Sequence, residues 1–396
     1  MKLKHFIYSI CLAGLALSSC QKEDELENIV DLSSPYVLDY LKDSTDELDQ
    51  RRYQIYQTYG VAVFLHDKVK EVQVGTDYKG DPIYKNEELD ISWHFYSDKN
   101  SSYEFTYLQT QEFDESLSEE QIAAIKAQEL ADAHLALDYA ETYLSMAGKT
   151  KPFSILLLKK GSFEGQSFDF SQTFRTLYIA KAASYPTPEE MRMQSGKIIN
   201  ASVLPLVNLD EKLCDEFEAI SEEKHYYNKQ WSRDLGETLS SDMQTLIKSP
   251  LNFKLSYAYD NTELTKISNN GQMYTSIYYD DNGWGAYVPM YGLPAVDFSR
   301  KYYGNLTAVK ELALEAVAMA AKYGFIGGGW SSEMTYTPNA SKDIEIYVSQ
   351  ILQLGRGGME ARYGAYPLVM EKMTLMADYI ENVLGVSVDY NNIIND

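Results

Sequence analysis

Cysteine is scarce in this 396-residue chain, which has only Cys11, Cys20 and Cys214. The first two lie within and at the end of an amino-terminal leader, so Cys214 has no cysteine partner within one mature chain. A small scaffold held together by disulfides is therefore excluded. We interpret Cys214 as a small, buried, apolar residue.

Long apolar runs are also missing, since no segment approaches the eighteen or so residues that a membrane-spanning helix needs. The leader begins with Lys2 and Lys4, continues with an apolar run over 6–17, and ends in Leu17-Ser18-Ser19-Cys20. Bulky, small, small, cysteine is typical of a bacterial lipobox. We predict a signal peptide over 1–19 and a lipidated Cys20; the alternative is an ordinary secretory signal with a chance cysteine.

Acidic residues directly follow this cysteine, in Gln21-Lys22-Glu23-Asp24-Glu25. The run resembles the tag that exports some Gram-negative lipoproteins to the outer face of the outer membrane. The predicted location is therefore the outer membrane, lipid-anchored and facing outward, with residues 20–35 as an acidic tether. A merely solvated linker is the alternative.

Basic residues are too few to balance the acidic ones, and the formal net charge is −23. Such a chain is not expected to bind nucleic acid or anionic lipid headgroups, because both repel it. Tyrosine is abundant, with 33 residues. Its flat ring and polar tip suit sugar and peptide surfaces, but the same side chain also fills half-buried positions in sheets and helices.

Apolar patterning predicts strands early in the chain and helices later, which is an α+β fold. Predicted strands cover 59–65, 153–158, 174–181 and 274–279, with a small antiparallel sheet over 71–107. Predicted helices cover 36–48, 118–147, 187–204, 211–220, 233–248, 305–323, 341–354 and 366–384. Pro205 is expected to end the third of these.

Histidine is scarce as well. Outside the leader only His66, His94, His134 and His225 occur, and no two lie four residues apart. A zinc site built on one helix needs that spacing, because residues i and i+4 point the same way. Phosphate-binding loops, dinucleotide fingerprints and nucleophile elbows are absent too. No motif therefore predicts catalysis.

The order of elements nevertheless resembles the substrate import-associated zinc metallohydrolase lipoproteins, a family of zinc-binding metallopeptidases. The resemblance covers most of residues 36–380. It depends on these residues: Phe217, Ile220-Ser221, Tyr226 or Tyr227, Trp231, Gly324-Phe325-Ile326 and Ser341-Lys342-Asp343-Ile344-Glu345. The resemblance implies a zincin-like scaffold over 36–396, with a sub-boundary near 150 or 235. It also implies a TonB-dependent importer and its substrate-binding lipoprotein as partners.

The zinc-binding motif itself is degenerate. The helix that should carry His-Glu-x-x-His has Ile199, Asn200, Ala201, Val203 and Leu204 at the motif positions. Without two imidazoles and a general base, neither the metal nor its activated water is expected. The third-ligand region retains Asp343 and Glu345, but one carboxylate alone cannot hold zinc.

Two functional hypotheses follow. The first is a non-catalytic surface lipoprotein without a cofactor that binds or presents a peptide or glycan. Its ligand-binding candidates are aromatic residues in glycine-rich loops: Trp284, Tyr287, Tyr291 and Trp330. The second is an active zinc metallohydrolase with a displaced or atypical site. A purely structural role in a surface assembly is a third possibility.

Overall fold

This computed structural model describes residues 36–89, 103–110, 113–114, 116–173, 175–222, 224–247, 253–269, 275–279, 285–289, 301–328 and 336–392. Within them the chain has an α+β fold, with a small mixed sheet and a helical carboxy-terminal half. This confirms the predicted fold class. The signal peptide, the tether and Cys20 lie outside the described residues.

The strands are short, and most of them lie in the first half of the chain. They are β1 Ala62–Phe64, β2 Lys68–Thr76, β3 Pro82–Glu88, β4 Tyr103–Tyr107, β5 Ser154–Phe163, β6 Gln166–Ser167, β7 Phe170–Gln172, β8 Thr176–Ile179, β9 Thr275–Tyr279 and β10 Gly285–Pro289.

Helices dominate the second half. They are α1 Glu47–Tyr59, α2 Glu119–Met146, α3 Pro188–Asn208, α4 Glu211–Glu222, α5 Trp231–Asp234, α6 Ser241–Ile247, α7 Asn261–Asn269, α8 Leu306–Ala321, α9 Ala340–Tyr363 and α10 Pro367–Asn382. Short 3-10 helices cover Leu38–Leu41, Gly148–Thr150 and Leu255–Tyr259.

The chain divides into two compact units. The first draws on residues up to Glu129 and on Phe153–Lys181, and the second on Leu130–Pro152 and on the chain from Ala182. In the first unit β5 is central, because its continuous apolar run is buried on both faces. It pairs in parallel with β1 and β8 through its first half and antiparallel with β4 and β6 through its second half.

Two predicted helices are interrupted by local capping. The helix expected over 36–48 is wrong: the Asp46 carboxylate accepts hydrogen bonds from the Leu48 and Asp49 amides and starts α1 there. The helix expected over 233–248 divides into α5 and α6. Gly236 takes a left-handed φ of 71°, and the Ser240 hydroxyl then accepts a hydrogen bond from the Met243 amide.

Helix α3 begins as predicted, with a capping box between Thr187 and Glu190. It does not end at Pro205, which lies inside the helix. Proline removes the hydrogen bond to the carbonyl four residues earlier. Pro205 and Ala201 are both exposed, where loss of one backbone hydrogen bond is least costly, and the helix continues to Asn208.

Glycine permits close approach at two points of the second unit. A Cβ on Gly196 of α3 would lie 1.9 Å from the Leu352 carbonyl oxygen of α9. Helix α9 itself kinks at Gly355, where φ is 70° and ψ is 176°. The carboxy-terminal segment covers the kink, since the Arg356 amide donates to Val388 and the Asn392 amide to Leu354.

We expect Gly196→Ala to destabilise the protein by about 1–3 kcal/mol, because its methyl group would overlap backbone atoms of α9 rather than a movable side chain. Thermal unfolding followed by circular dichroism measures the effect. Gly75→Ala is the matched control, since nothing lies within 4 Å of a Cβ at that position. Equal melting temperatures for the two variants would contradict the contact.

Candidate functional site

The best-defined polar cluster of the second unit surrounds the carboxylate of Asp343, in the first turn of α9. Lys372 on α10 donates to Asp343 Oδ2 at 2.5 Å, and the Tyr227 hydroxyl donates to the same oxygen at 3.0 Å. Lys372 Nζ also donates to the Tyr227 hydroxyl oxygen at 3.1 Å. Asp343 and Lys372 are both fully buried, so this ion pair is closed to solvent.

Aromatic rings enclose the ammonium group. Lys372 Nζ lies 4.6 Å from the ring centroid of Phe325, 4.9 Å from Tyr227, 5.0 Å from Phe217 and 5.8 Å from Tyr347. A cation over an aromatic face is attracted by the ring quadrupole, most strongly where water is excluded. The rings therefore replace part of the hydration that the buried ammonium loses.

The position of Tyr227 depends on an unusual backbone. His225 and Asn228 on either side of it have left-handed φ angles of 57° and 55°. Such conformations cost free energy and persist where surrounding contacts fix them. Thr337 supplies those contacts: its hydroxyl donates to the Tyr226 carbonyl at 2.7 Å and accepts from the Lys229 amide at 2.8 Å.

Burial dominates the electrostatics of the pair. It raises the pKa of Asp343 despite the nearby Lys372 ammonium and Tyr227 hydroxyl. Burial likewise lowers the pKa of Lys372, against the opposing effect of Asp343. It also raises the pKa of Tyr227, helped by Asp343, so this hydroxyl keeps its proton and donates it in a hydrogen bond. Each charge is thus tolerated only beside the other.

The residues at the predicted motif positions do not fit zinc. Ile199 and Val203 are buried aliphatic side chains, and Ala201 is exposed. Leu204 is half-buried and apolar, and the buried Asn200 Oδ1 has no hydrogen-bond partner in the described part of the chain. These five side chains, one amide and four aliphatic groups, provide no imidazole or thiolate ligand for zinc. The amide oxygen of Asn200 would be a weak ligand.

The two carboxylates of the predicted third-ligand region have different partners and different exposure to solvent. Asp343 faces Lys372 in the core, whereas Glu345 is half-exposed and pairs with Lys342 at 2.6 Å on the surface. Within the described residues no group of three histidine, cysteine, aspartate or glutamate side chains lies close enough to hold a metal ion.

The structure does not describe the side chains of the predicted ligand-binding aromatic residues. Trp284, Tyr291 and Trp330 lie outside the described residues, and Tyr287 belongs to β10, whose side chains are not described. Cys214 is half-buried rather than fully buried, and its thiol donates to the Val207 carbonyl at 3.4 Å. Burial, together with Asp210 and other nearby acids, raises its pKa, which disfavours the reactive thiolate.

Sequence reasoning missed Lys372, although a signal was present. The buried face of α10 carries Val369, Met373, Met376 and Ile380, and Lys372 falls on the same stripe. A lysine within an otherwise apolar helical stripe requires a buried partner. Asp343, in the acidic first turn of α9, was a candidate for that partner.

Searches against protein-family models, curated proteins and solved structures found no match to this chain. Within the residues that the structure describes, no helix has both the length and the apolar composition needed to cross a membrane.

We expect Lys372→Met to lower the free energy of unfolding by about 3–5 kcal/mol, because it leaves the Asp343 carboxylate buried without a counter-charge. Adding Asp343→Asn should recover much of that loss, since the double variant buries no charge. Chemical denaturation of the two single variants and the double variant measures the coupling.

Lys342→Met is the matched control, because it breaks the half-exposed pair with Glu345. Its expected cost is at most about 1 kcal/mol. A double variant whose loss equals the sum of the two single losses would show that Asp343 and Lys372 are not coupled.

Proposed function

We propose that this protein is a non-catalytic lipoprotein of the bacterial outer-membrane surface that binds or presents a peptide or glycan beside an importer. In this proposal its second unit is a zincin-like metallopeptidase scaffold from which the zinc site has been lost. The observation that carries the proposal is the engagement of Asp343, the retained carboxylate of the third-ligand region, by Lys372 and Tyr227.

The chemistry of that carboxylate supports a structural rather than a catalytic role. A metal-bound carboxylate needs a free lone pair facing an open coordination position. Asp343 Oδ2 already accepts two hydrogen bonds, whereas Oδ1 has no partner among the described residues but is buried with the rest of the side chain, so no open coordination position faces it. A substrate therefore has no route to it, and the Lys372 ammonium supplies the positive charge that a cation would otherwise bring.

The location rests on the leader. Lipid chains on Cys20 would supply membrane affinity by burying methylene groups, and the acidic run behind it would direct the protein outward. The proposed partners, a TonB-dependent importer and its substrate-binding lipoprotein, follow from the family resemblance alone. A pull-down through the anchor from intact membranes tests for them directly.

We expect purified residues 21–396 to retain substoichiometric zinc after dialysis, because the motif helix provides aliphatic groups where ligands would be needed. Elemental analysis measures the metal content, and a fluorogenic peptide panel measures hydrolysis with and without a chelator. Stoichiometric zinc together with chelator-sensitive hydrolysis would contradict the proposal and favour an active metallohydrolase with a displaced site.

We expect Cys20→Ser to release the protein from the membrane fraction, because the acylated sulfur is the proposed anchor. Fractionation measures the shift, and protease treatment of intact cells reports which face the wild-type protein occupies. Cys214→Ser is the control that should stay with the membrane. A Cys20→Ser variant that remains membrane-bound after its leader has been removed, as shown by its mass, would place the anchor elsewhere.

A further inference from the structure

A cavity of about 220 Å³ lies in the first unit, where the amino-terminal turns of α1 meet the segment between β1 and β2. It is smaller than the roughly 300–1,000 Å³ of pockets that take drug-sized ligands. Its size therefore limits an occupant to one sugar ring or a molecule of similar dimensions.

Arg52 forms a fixed donor in the wall of this cavity. Its Nε donates to the Val63 carbonyl at 2.7 Å, and its Nη1 donates to Asp49 Oδ1 at 2.9 Å. The guanidinium carbon lies 5.7 Å from the centroid of the Phe64 ring. Nη2 makes no hydrogen bond to any described residue, so a pre-oriented N–H pair remains for a ligand.

Carboxylate acceptors stand beside this donor. Asp46 uses Oδ1 to cap α1, where it accepts from the Leu48 and Asp49 amides at 2.9 and 3.0 Å. Its Oδ2 accepts no hydrogen bond from the described residues. Asp49 is held on both oxygens, by Ser44 at 3.1 Å and by Arg52. One exposed carboxylate, Asp46, and two half-buried charged groups, Asp49 and Arg52, therefore line the same wall.

His66 adds a second donor. Its Nδ1 accepts from the Lys68 amide at 2.9 Å, and burial lowers its pKa, so the ring is neutral and carries its proton on Nε2. Asp67 Oδ1 lies equally close to Nδ1, but it could accept a hydrogen bond only from a ring that carries a proton on Nδ1, and such a ring could not accept from the Lys68 amide. The imidazole stacks on Tyr107 with 4.2 Å between the ring centroids, which fixes its orientation.

The balance of charge points to a neutral ligand. Asp46 and Asp49 oppose Arg52 and Lys68, so the formal charges of the lining cancel. An anion would meet two carboxylates, and a cation would meet a guanidinium and an ammonium. A hydroxyl group donates and accepts, so it suits both kinds of group. Leu48, Phe64 and Leu65 also line the cavity, but they are almost fully buried, so they add only a small apolar surface beside the polar groups.

We propose that this cavity binds a single neutral sugar residue, with Asp46 and Arg52 hydrogen-bonded to its hydroxyl groups. Asp49 and Ser44 act as positioning residues, because they fix the carboxylate and guanidinium in place. The site lies in a different unit from Asp343 and stands whether or not the Lys372 pair replaces a metal.

Saturation-transfer NMR and calorimetry on the detergent-solubilised full-length protein test the proposal. The probes are glucose, galactose, mannose and N-acetylglucosamine, with glycine, acetate and phosphate as charged comparators. We expect at least one sugar to bind saturably. Asp46→Ser should weaken that binding about tenfold, the usual effect of losing a hydrogen bond to a charged group. Its melting temperature should stay unchanged, because serine also caps helices.

Arg52→Lys is the second variant, since it keeps the charge but loses the planar fork, and it should also weaken sugar binding. Asp169→Ser is the matched control, an exposed aspartate of the same unit that pairs with Lys181 outside the cavity. Binding of the charged comparators alone, or of no probe, would overturn the proposal. Sugar binding lost in Trp284→Ala but unchanged in Asp46→Ser would overturn it too, while leaving the proposed surface-binding function intact.

Discussion

A salt bridge without access to water fixes where three elements of the second unit meet. Taking two charges out of water costs several kcal/mol per ion, and their attraction offsets that cost only at short distance with good geometry. Asp343, Lys372 and Tyr227 come from α9, α10 and the segment after α4, so these three elements must meet within hydrogen-bonding distance of one another. The aromatic rings around Lys372 keep water out and thereby preserve the pair.

Close backbone contacts complete this arrangement. Helix α3 reaches α9 because Gly196 has no side chain, and the kink at Gly355 exposes backbone groups that the carboxy-terminal segment then pairs. Helices α3 and α9 are therefore in close contact at Gly196. Asp343, in the first turn of α9, pairs with Lys372 of α10. Backbone contacts and one buried ion pair thus hold α3, α9 and α10 together.

The two polar sites of the molecule differ in accessibility, and this difference separates their roles. The Asp343 cluster uses its hydrogen-bonding capacity internally, apart from one buried oxygen, Oδ1, that has no partner among the described residues. The cavity beside α1 is more open, since Asp46 and Lys68 are exposed, and it leaves Arg52 Nη2 and Asp46 Oδ2 without a hydrogen-bond partner among the described residues. The abundance of tyrosine is explained in part by packing. Tyr227 and Tyr347 enclose Lys372 in the second unit, and the Tyr103 and Tyr178 rings pack 5.1 Å apart in the first unit.

Local patterns in the sequence predicted several elements, because each depends on residues a few positions apart. The helix start at Thr187, the buried run of β5 and the ends of α8 and α10 agree with the structure. The local caps at Asp46 and Ser240 were not recognised, so the helices over 36–48 and 233–248 were wrongly predicted as continuous. The prediction of a lipidated leader and the absence of His-Glu-x-x-His likewise depend on the sequence alone. Only the tertiary structure decided that Asp343 meets Lys372, and that Asp46, Arg52 and His66 share one cavity. Asp343 and Lys372 lie on different helices, and His66 lies beyond β1 from the helix that Asp46 caps and that carries Arg52, so these contacts depend on how helices and strands fold back on one another.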